Sequence, residues 1–163
     1  MTKFRLGFTL VELLISLAIV GLLASVAIVY LASGRDKARD ARRKSDLAQL
    51  GRFLSLSCYL PQDGAGDYDL ADIVSELISR YPPYQSFLNN LPHDPKMGSD
   101  SATYYRYLVD DQSRCALYAN LEYAAEPVTL PELAAPTPGG GQGVWRAATD
   151  GWNGTPLYFQ FSN

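Results

Sequence analysis

The stretch Gly7-Phe8-Thr9-Leu10-Val11-Glu12, with the apolar run that continues to Ala32, decides the architecture of this chain. Residues 8–32 exceed the roughly 20 residues that a helix needs to cross a bilayer, and the roughly 7 to 15 apolar residues of a secretory signal peptide. Glu12 is the only charged residue in the run. The sequence therefore predicts a retained membrane helix over residues 8–32 with one carboxylate inside it.

The carboxylate of Glu12 needs a partner, because inserting it alone near the bilayer centre costs roughly 2.5 to 3.5 kcal/mol. The basic residues that precede the run lie on the other side of Gly7. Cleavage between Gly7 and Phe8 would create an α-amine one helical turn from Glu12. That amine would neutralise the carboxylate of its own chain or of an adjacent chain.

The hexapeptide from Gly7 to Glu12 resembles the class III signal of prepilins and pseudopilins of the type IV filament superfamily. The resemblance implies that a prepilin peptidase removes residues 1–7 and that Phe8 becomes the N-methylated first residue. It also implies that subunits assemble through their N-terminal helices, with Glu12 pairing with the Phe8 amine of a neighbouring subunit and setting the axial register.

The similarity to this family continues at Gly21 and ends at Val29, where many members carry a helix-distorting proline. Gly21 loosens a helix by roughly 1 kcal/mol relative to Ala. Alternatively, Gly21 and the small residues near it provide a surface on which helices pack closely. Both interpretations assign Gly21, with Glu12, to assembly.

Composition fits one extracytoplasmic domain, because about 130 residues remain after the leader and the apolar run. The net charge of -3 becomes about -5 when Lys3 and Arg5 leave with the leader, which argues against a generally basic nucleic-acid-binding protein. We expect residues 33–60 to continue the helix as an amphipathic segment. Residues 61–163 should form the globular head.

A charged run begins the amphipathic segment, with six basic and three acidic residues over 35–46. Pairs at helical spacing contribute roughly 0.2 to 0.5 kcal/mol each; they are Asp36 with Arg39, Asp40 with Lys44, and Arg42 with Asp46. The favoured interpretation is a solvated helix face. The alternatives are a phosphate-binding site for DNA and a contact with acidic surface on the next subunit. The run opposes the positive-inside rule, so the orientation rests on the cleavage motif.

The remaining sequence predicts an α+β fold in which the long helix packs on a small antiparallel sheet. A second helix spans 69–80, with Asp69 as its N-cap. Strands at 102–109 and 115–123 form a hairpin, and 143–149 with 155–161 form a second hairpin or a single strand and a loop. The apolar stripe of the long helix should cover the inner face of the sheet; it comprises Leu47, Leu50, Leu54 and Cys58. The Leu91–Pro95 turn and the tyrosine-rich strands also resemble, more loosely, the corresponding region of pilins.

Cys58 and Cys115 both point inward in this arrangement. A disulfide between them would join the long helix to the sheet. Two reduced, buried thiols are the alternative, because the sequence does not give the Cα separation that a disulfide requires.

Catalytic chemistry has little support in the sequence. His93 is the only histidine, it falls in a turn, and no serine or cysteine motif accompanies it, so we expect no catalytic residue and no cofactor. Two loops contain weak calcium candidates, which are Asp63, Asp67 and Asp69 in the first loop and Asp150 and Asn153 in the C-terminal loop. Neither loop matches the EF-hand pattern, so an ordinary structural role in turns is favoured.

These features predict a structural, non-enzymatic subunit of a type IV pilus (fimbrium) or of a pseudopilus such as that of type II secretion. Its partners would be further copies in a homo-oligomeric filament, prepilin peptidase, an assembly ATPase and a platform protein. It would be a single-pass protein of the cytoplasmic membrane before assembly and an extracytoplasmic filament afterwards. The alternatives are a DNA-uptake pilin that binds nucleic acid, and an uncleaved single-pass membrane protein with a sensing or enzymatic head.

Overall fold

The computed structural model describes residues 9–54 and 58–162. It confirms the α+β prediction, with helices and a five-stranded antiparallel sheet. In chain order the elements are α1 (Leu10–Leu54), β1 (Gly66–Asp69), α2 (Leu70–Arg80), a 3-10 turn (Pro82–Tyr84), α3 (Gln85–Leu88), β2 (Arg106–Val109), β3 (Cys115–Asn120), β4 (Gly143–Arg146) and β5 (Leu157–Ser162).

The chain divides into two compact units, with the boundary between Arg35 and Asp36 inside α1. In the first unit, every described side chain from residue 9 to residue 26 is exposed to solvent. Most of these side chains are large and apolar, and they include Leu10 at 75% exposure and Leu22 at 69%. This part of α1 therefore presents apolar surface around its whole circumference.

Among the residues that the structure describes, no helix combines the length and the apolarity that a membrane crossing requires.

The second unit is built on a sheet with strand order β1-β2-β3-β5-β4, in which each neighbouring pair is antiparallel. The predicted hairpin of β2 and β3 is present, and β4 pairs with β5 as the second hairpin. The sequence analysis missed β1 at Gly66–Asp69, because its glycine and polar residues are typical of a loop. Pairing with β2 makes this segment extended, which is a tertiary effect on β structure.

The core lies where the second unit's helices meet the sheet. Leu47 and Leu50 of α1 are fully buried, as predicted for the apolar stripe of the long helix. The side chain of Leu54 lies outside the described part of the chain. On α2 the buried residues recur at helical spacing; they are Leu70, Ile73 and Leu77. Asp69 caps α2 as predicted, since its side chain accepts the N–H of Ala71 at 2.9 Å.

The described part of α1 ends at Leu54, and the helix does not extend to its predicted end at residue 60. Residues 58–60 are not helical. The Tyr59 carbonyl accepts the hydroxyl of Tyr107 at 2.7 Å, and the Tyr59 hydroxyl donates to Glu76 at 2.7 Å. These contacts with the sheet and α2, together with a covalent link at Cys58, hold residues 58–60 where the sequence analysis predicted helix.

Strand β3 is buried on both of its faces, although the sequence analysis assigned only one face to the core. Aromatic side chains cover the second face: Tyr158 stacks on Trp145 with ring centroids 4.7 Å apart and lies 6.1 Å from Tyr118. Tyr158 also meets Trp152 edge to face at 5.5 Å. The sheet therefore has the hydrophobic core on one face and a cluster of aromatic rings on the other.

Candidate functional site

The start of α1 holds Glu12, which the sequence analysis assigned to assembly. The Glu12 carboxylate accepts the backbone N–H of Thr9 at 3.2 Å and its hydroxyl at 3.0 Å. In return, the backbone N–H of Glu12 donates to the Thr9 hydroxyl oxygen at 3.2 Å. This reciprocal arrangement is a capping box. The pattern Thr-x-x-Glu at residues 9–12 could have revealed it from sequence.

The other N-terminal candidates give different outcomes. The processing residues Gly7 and Phe8 lie outside the described residues. Gly21 lies in α1, and a methyl group added at its Cα would meet no described atom within 4 Å. Within the described chain, the surface around Gly21 is therefore open, and its assignment to helix packing or helix loosening stays a prediction.

A cluster of buried charges centres on Arg43, which is fully buried. Its Nε and Nη2 atoms donate to the two carboxylate oxygens of Asp94 at 2.8 and 2.9 Å. Nη1 donates to Asp40 at 2.7 Å, and Nη2 also donates to Glu122 at 2.6 Å. One guanidinium thus joins α1 to the loop before β2 and to the segment after β3, in the bidentate geometry that arginine provides.

The carboxylates of this cluster have further partners that fill their acceptor positions. Asp40 accepts the backbone N–H groups of Glu122 and Tyr123, at 3.0 and 2.8 Å for the shorter contacts. Glu122 also pairs with Arg39 at 2.6 Å and with Lys96 at 3.4 Å. Because buried charges are tolerated only when they are paired and hydrogen-bonded, the cluster is internally complete.

These contacts shift the ionisation of the cluster toward its charged forms. Burial by itself would raise the pKa of Asp94, but hydrogen bonds from Arg43 and from the backbone of Met97 outweigh it and lower the pKa to about 2. The pKa of Glu122 also falls to about 2, because hydrogen bonds from Arg39 and Arg43 outweigh burial. Burial would lower the pKa of Arg43, yet its hydrogen bonds raise it above the ordinary value. All three groups therefore stay charged at neutral pH.

The solvated helix face predicted for residues 35–46 is wrong for its inward side, where Asp40 and Arg43 are buried. Asp40 pairs with Arg43, not with Lys44 as predicted, and Lys44 pairs with Glu126. Two predicted pairs are present, Asp36 with Arg39 at 2.7 Å and Arg42 with Asp46 at 3.7 Å.

Sequence reasoning missed Asp94 and Glu122 as partners of this run. One signal was available on the helix: Asp40, Arg43, Leu47 and Leu50 follow each other at spacings of three and four residues. The inward face that buries the leucines therefore continues through Arg43 and Asp40. No comparable signal identifies Asp94 or Glu122, because they lie in non-helical segments far along the chain.

The two cysteines form a disulfide between Cys58 and Cys115, with a Cα separation of 5.6 Å. This is one of the two alternatives that the sequence left open. It closes a loop with a sequence separation of 57 and links the chain just after α1 to the first residue of β3. The link contributes up to roughly 4 kcal/mol by the chain-entropy argument.

The weak calcium candidates have structural contacts in this fold. Asp67 accepts hydrogen bonds from Arg106 and Tyr118, and Asp69 caps α2. Buried Asn153 donates to Asp94 at 2.9 Å. Asp63 and Asp150 are exposed. Burial raises the pKa of Tyr158, and the negative charge of Asp150 raises it further. Within residues 9–54 and 58–162, no group of three His, Cys, Asp or Glu side chains is arranged to hold a metal ion.

His93 is half-buried beside the charged cluster, and its Nδ1 lies 3.3 Å from the carbonyl oxygen of Asp94. This contact places the ring within the turn that the sequence predicted. The neighbouring Asp94 is the residue of that turn with the larger structural role.

Comparison with known proteins connects residues 3–28 to the family described as the prokaryotic N-terminal methylation motif. The matched segment contains Gly7, Phe8, Glu12 and Gly21. No curated protein and no solved structure matches the chain. The motif therefore identifies the N-terminal segment, and the second unit is interpreted from its own geometry.

Proposed function

We propose that this chain, which carries the N-terminal methylation motif that is the hallmark of type IV pilins and pseudopilins, is a structural subunit of a type IV pilus or pseudopilus. The motif supports processing by a prepilin peptidase. In the proposal, cleavage after Gly7 releases Phe8 as the first residue. The mature subunit then polymerises with further copies of itself, and it has no catalytic step and no cofactor.

The observation that carries the proposal is the apolar circumference of α1 within the segment that the motif matches. A helix that is hydrophobic all round is stable only inside a protein core, a membrane or an assembly of helices. The side chains of residues 10–26 are exposed, so this surface needs a covering that the single chain does not provide. We propose the membrane as its covering before assembly, and the helices of neighbouring subunits afterwards.

Glu12 takes part in this proposal as the one charged group among these apolar residues. In the single chain its carboxylate is held by Thr9. Cleavage would place a positive α-amine on Phe8, close in sequence to the capping box. Pairing of Glu12 with the Phe8 amine of a neighbouring subunit would then offset the cost of burying the carboxylate in the filament.

The buried cluster in the second unit favours a structural role over phosphate binding. Arg39, Arg43 and Lys44 are engaged with carboxylates of their own chain. Freeing them for DNA would leave buried carboxylates without a counter-charge. The charged run therefore supports a cohesive subunit better than it supports a DNA-uptake pilin.

The test is the mass of the N-terminal peptide of mature protein from its own host. We expect a peptide that begins at Phe8, with one methyl group on its amine. A strain without prepilin peptidase is the control, and there the peptide should begin at Met1. An N-terminus at Met1 in the normal host would overturn the proposal and favour the uncleaved membrane protein.

A further inference from the structure

A cavity of about 500 Å³ lies in the second unit beside β1 and the start of α2. Its volume is within the range of roughly 300 to 1,000 Å³ that is typical of ligand pockets. The aromatic side chains that line it are Tyr104, Tyr118 and Trp152, and the charged ones are Asp67, Asp69, Asp72 and Arg106. An aromatic wall and an excess of carboxylates therefore meet in one concave site, which the filament role does not use.

The carboxylate of Asp69 accepts four hydrogen bonds. Its Oδ1 accepts the backbone N–H groups of Ala71 and Thr103, both at 2.9 Å, and the Thr103 hydroxyl at 2.7 Å. Its Oδ2 accepts the backbone N–H of Tyr104 at 2.9 Å. Asp69 thus contributes its negative charge to the cavity while four hydrogen bonds hold its carboxylate in place.

Asp67 accepts one side-chain hydrogen bond on each carboxylate oxygen. It accepts the Arg106 Nε–H at 3.1 Å and the Tyr118 hydroxyl at 2.6 Å. Arg106 offsets one of the three carboxylate charges, and the lining keeps an excess of negative charge. The exposed Asp72, in the first turn of α2, completes the lining carboxylates.

This combination selects among possible ligands. A calcium or magnesium ion needs several oxygen ligands grouped around it, and among the described residues no group of three His, Cys, Asp or Glu side chains is arranged to hold a metal ion. A quaternary ammonium group needs no such ligand set and donates no N–H hydrogen bond. It is attracted by aromatic rings and by the field of nearby carboxylates, including carboxylates that already accept hydrogen bonds.

The rings are close enough to act together. The ring centroids of Tyr104 and Trp152 lie 6.0 Å apart, and Tyr118 is held in place by its hydrogen bond to Asp67. We propose that this cavity binds a quaternary ammonium group of the choline type, either as a free cation or as the headgroup of a phosphocholine compound.

The test is isothermal titration calorimetry on the full-length protein in a maltoside detergent, which carries no ammonium group. The ligands are choline, glycerophosphocholine and the neutral isostere 3,3-dimethylbutan-1-ol. We expect saturable binding of choline or glycerophosphocholine, and at least about fivefold weaker binding of the neutral alcohol. Tighter binding of glycerophosphocholine would assign the site to a lipid headgroup, and equal or tighter binding of choline would assign it to the free cation.

Two variants tie the binding to this cavity. Asp72→Asn removes an exposed lining charge, and Trp152→Leu removes an aromatic wall; each should weaken binding roughly threefold to tenfold. Asp63→Asn is the matched control, because it removes an exposed carboxylate outside the lining. If Trp152→Leu fails to fold, Asp72→Asn decides. No saturable binding of either ammonium compound, equal binding of the neutral alcohol, or an equal effect of Asp63→Asn and Asp72→Asn would overturn the proposal.

Discussion

At the scale of single residues, Arg43 organises the second unit. Its guanidinium is fully buried and contacts Asp40, Asp94 and Glu122. A buried ion pair is weak evidence for net stability, because desolvation offsets its attraction, yet removal of one partner is strongly destabilising. The cluster therefore specifies how α1 is held against two distant segments more than it adds to stability.

Arg43→Ala tests this role. It should lower the free energy of unfolding by roughly 3 to 5 kcal/mol, because Asp94 and Glu122 would stay buried without their main counter-charge. The control is Arg42→Ala, which removes a side chain that is 60% exposed and should cost less than about 1 kcal/mol. Urea unfolding followed by tryptophan fluorescence reports on this unit, because Trp145 and Trp152 both lie in it. Equal losses for the two variants would contradict the role given to Arg43.

The same carboxylates predict a direction for the pH dependence. The pKa values of Asp94 and Glu122 are about 2 in the folded chain, below their ordinary values of 3.8 and 4.5. A lowered folded-state pKa contributes stability that is present above the unfolded-state pKa and lost as the pH falls toward the folded-state pKa. Stability should therefore be nearly constant from neutral pH to about pH 5 and should fall between about pH 4.5 and 2.

Urea titrations across this pH range measure the dependence. Asp94→Asn is the comparison: it should be less stable at pH 7, and its stability should change less between about pH 4.5 and 2. Stability of the unchanged chain that rises on acidification through this window would contradict the cluster electrostatics.

At the scale of elements, α1 within the second unit presents one inward face with two kinds of contact. Asp40 and Arg43 supply ion pairs, and Leu47 and Leu50 supply apolar burial. The buried Gly51 follows, where a side chain would meet the ring of Phe161 on β5. Glycine at this position lets the helix approach the sheet closely, which Ala would prevent.

Gly51→Ala tests this close approach. Overlap with the Phe161 ring should destabilise the unit by roughly 1 to 3 kcal/mol, although Ala favours a helix over Gly by roughly 1 kcal/mol. The control is Gly34→Ala, where no described atom lies within 4 Å of the added methyl group, so the helix should become more stable. Thermal melts by circular dichroism compare the two, and stabilisation by Gly51→Ala would refute the packing argument.

At the scale of the whole molecule, the two units differ in how their surfaces are completed. The unit from Asp36 onward buries its own apolar layers and pairs its buried charges. The unit that ends at Arg35 exposes large apolar side chains. One part is thus a self-sufficient domain, and the other requires an environment that the proposed assembly supplies.

Glu12→Ala tests the assembly step. The variant should still enter the membrane fraction, because the apolar run is unchanged, but filament yield should fall at least about tenfold when the buried charge pair is lost. Thr9→Ala is the matched control, since it breaks the capping box and keeps the carboxylate. Electron microscopy of sheared filaments compares the strains. Normal filaments from Glu12→Ala would refute the register argument, and equal defects in both variants would indicate helix capping instead of charge pairing.

Much of the fold could be predicted because its signals are local. The period of the apolar residues indicated α2 and the stripe of Leu47 and Leu50, and Asp69 before that helix predicted its cap. Alternation and turn residues indicated the hairpin of β2 and β3. For β4 and β5 they left a hairpin and a single strand with a loop as alternatives, and the structure shows the hairpin. Helices and hairpins are encoded by residues a few positions apart, so a single sequence carries their pattern.

The candidate site was predictable only in part. The N-terminal motif is a contiguous pattern, and its family assignment is confirmed by the match over residues 3–28. The lining of the ammonium cavity was not predictable, because Asp67 and Trp152 come together only when the strands pair. These two residues are far apart in the sequence and belong to no common local pattern, so nothing in the sequence indicates that they line one cavity.

Local sequence patterns are enough to indicate a class III signal, an apolar helix and an α+β domain after them. That the charged run is partly buried in the core is visible only in the folded chain. Arg43 meets Asp94 across 51 residues and Glu122 across 79. Charges so far apart in the sequence pair only because the folded chain brings them into contact, and a local sequence pattern does not show which distant residues will meet.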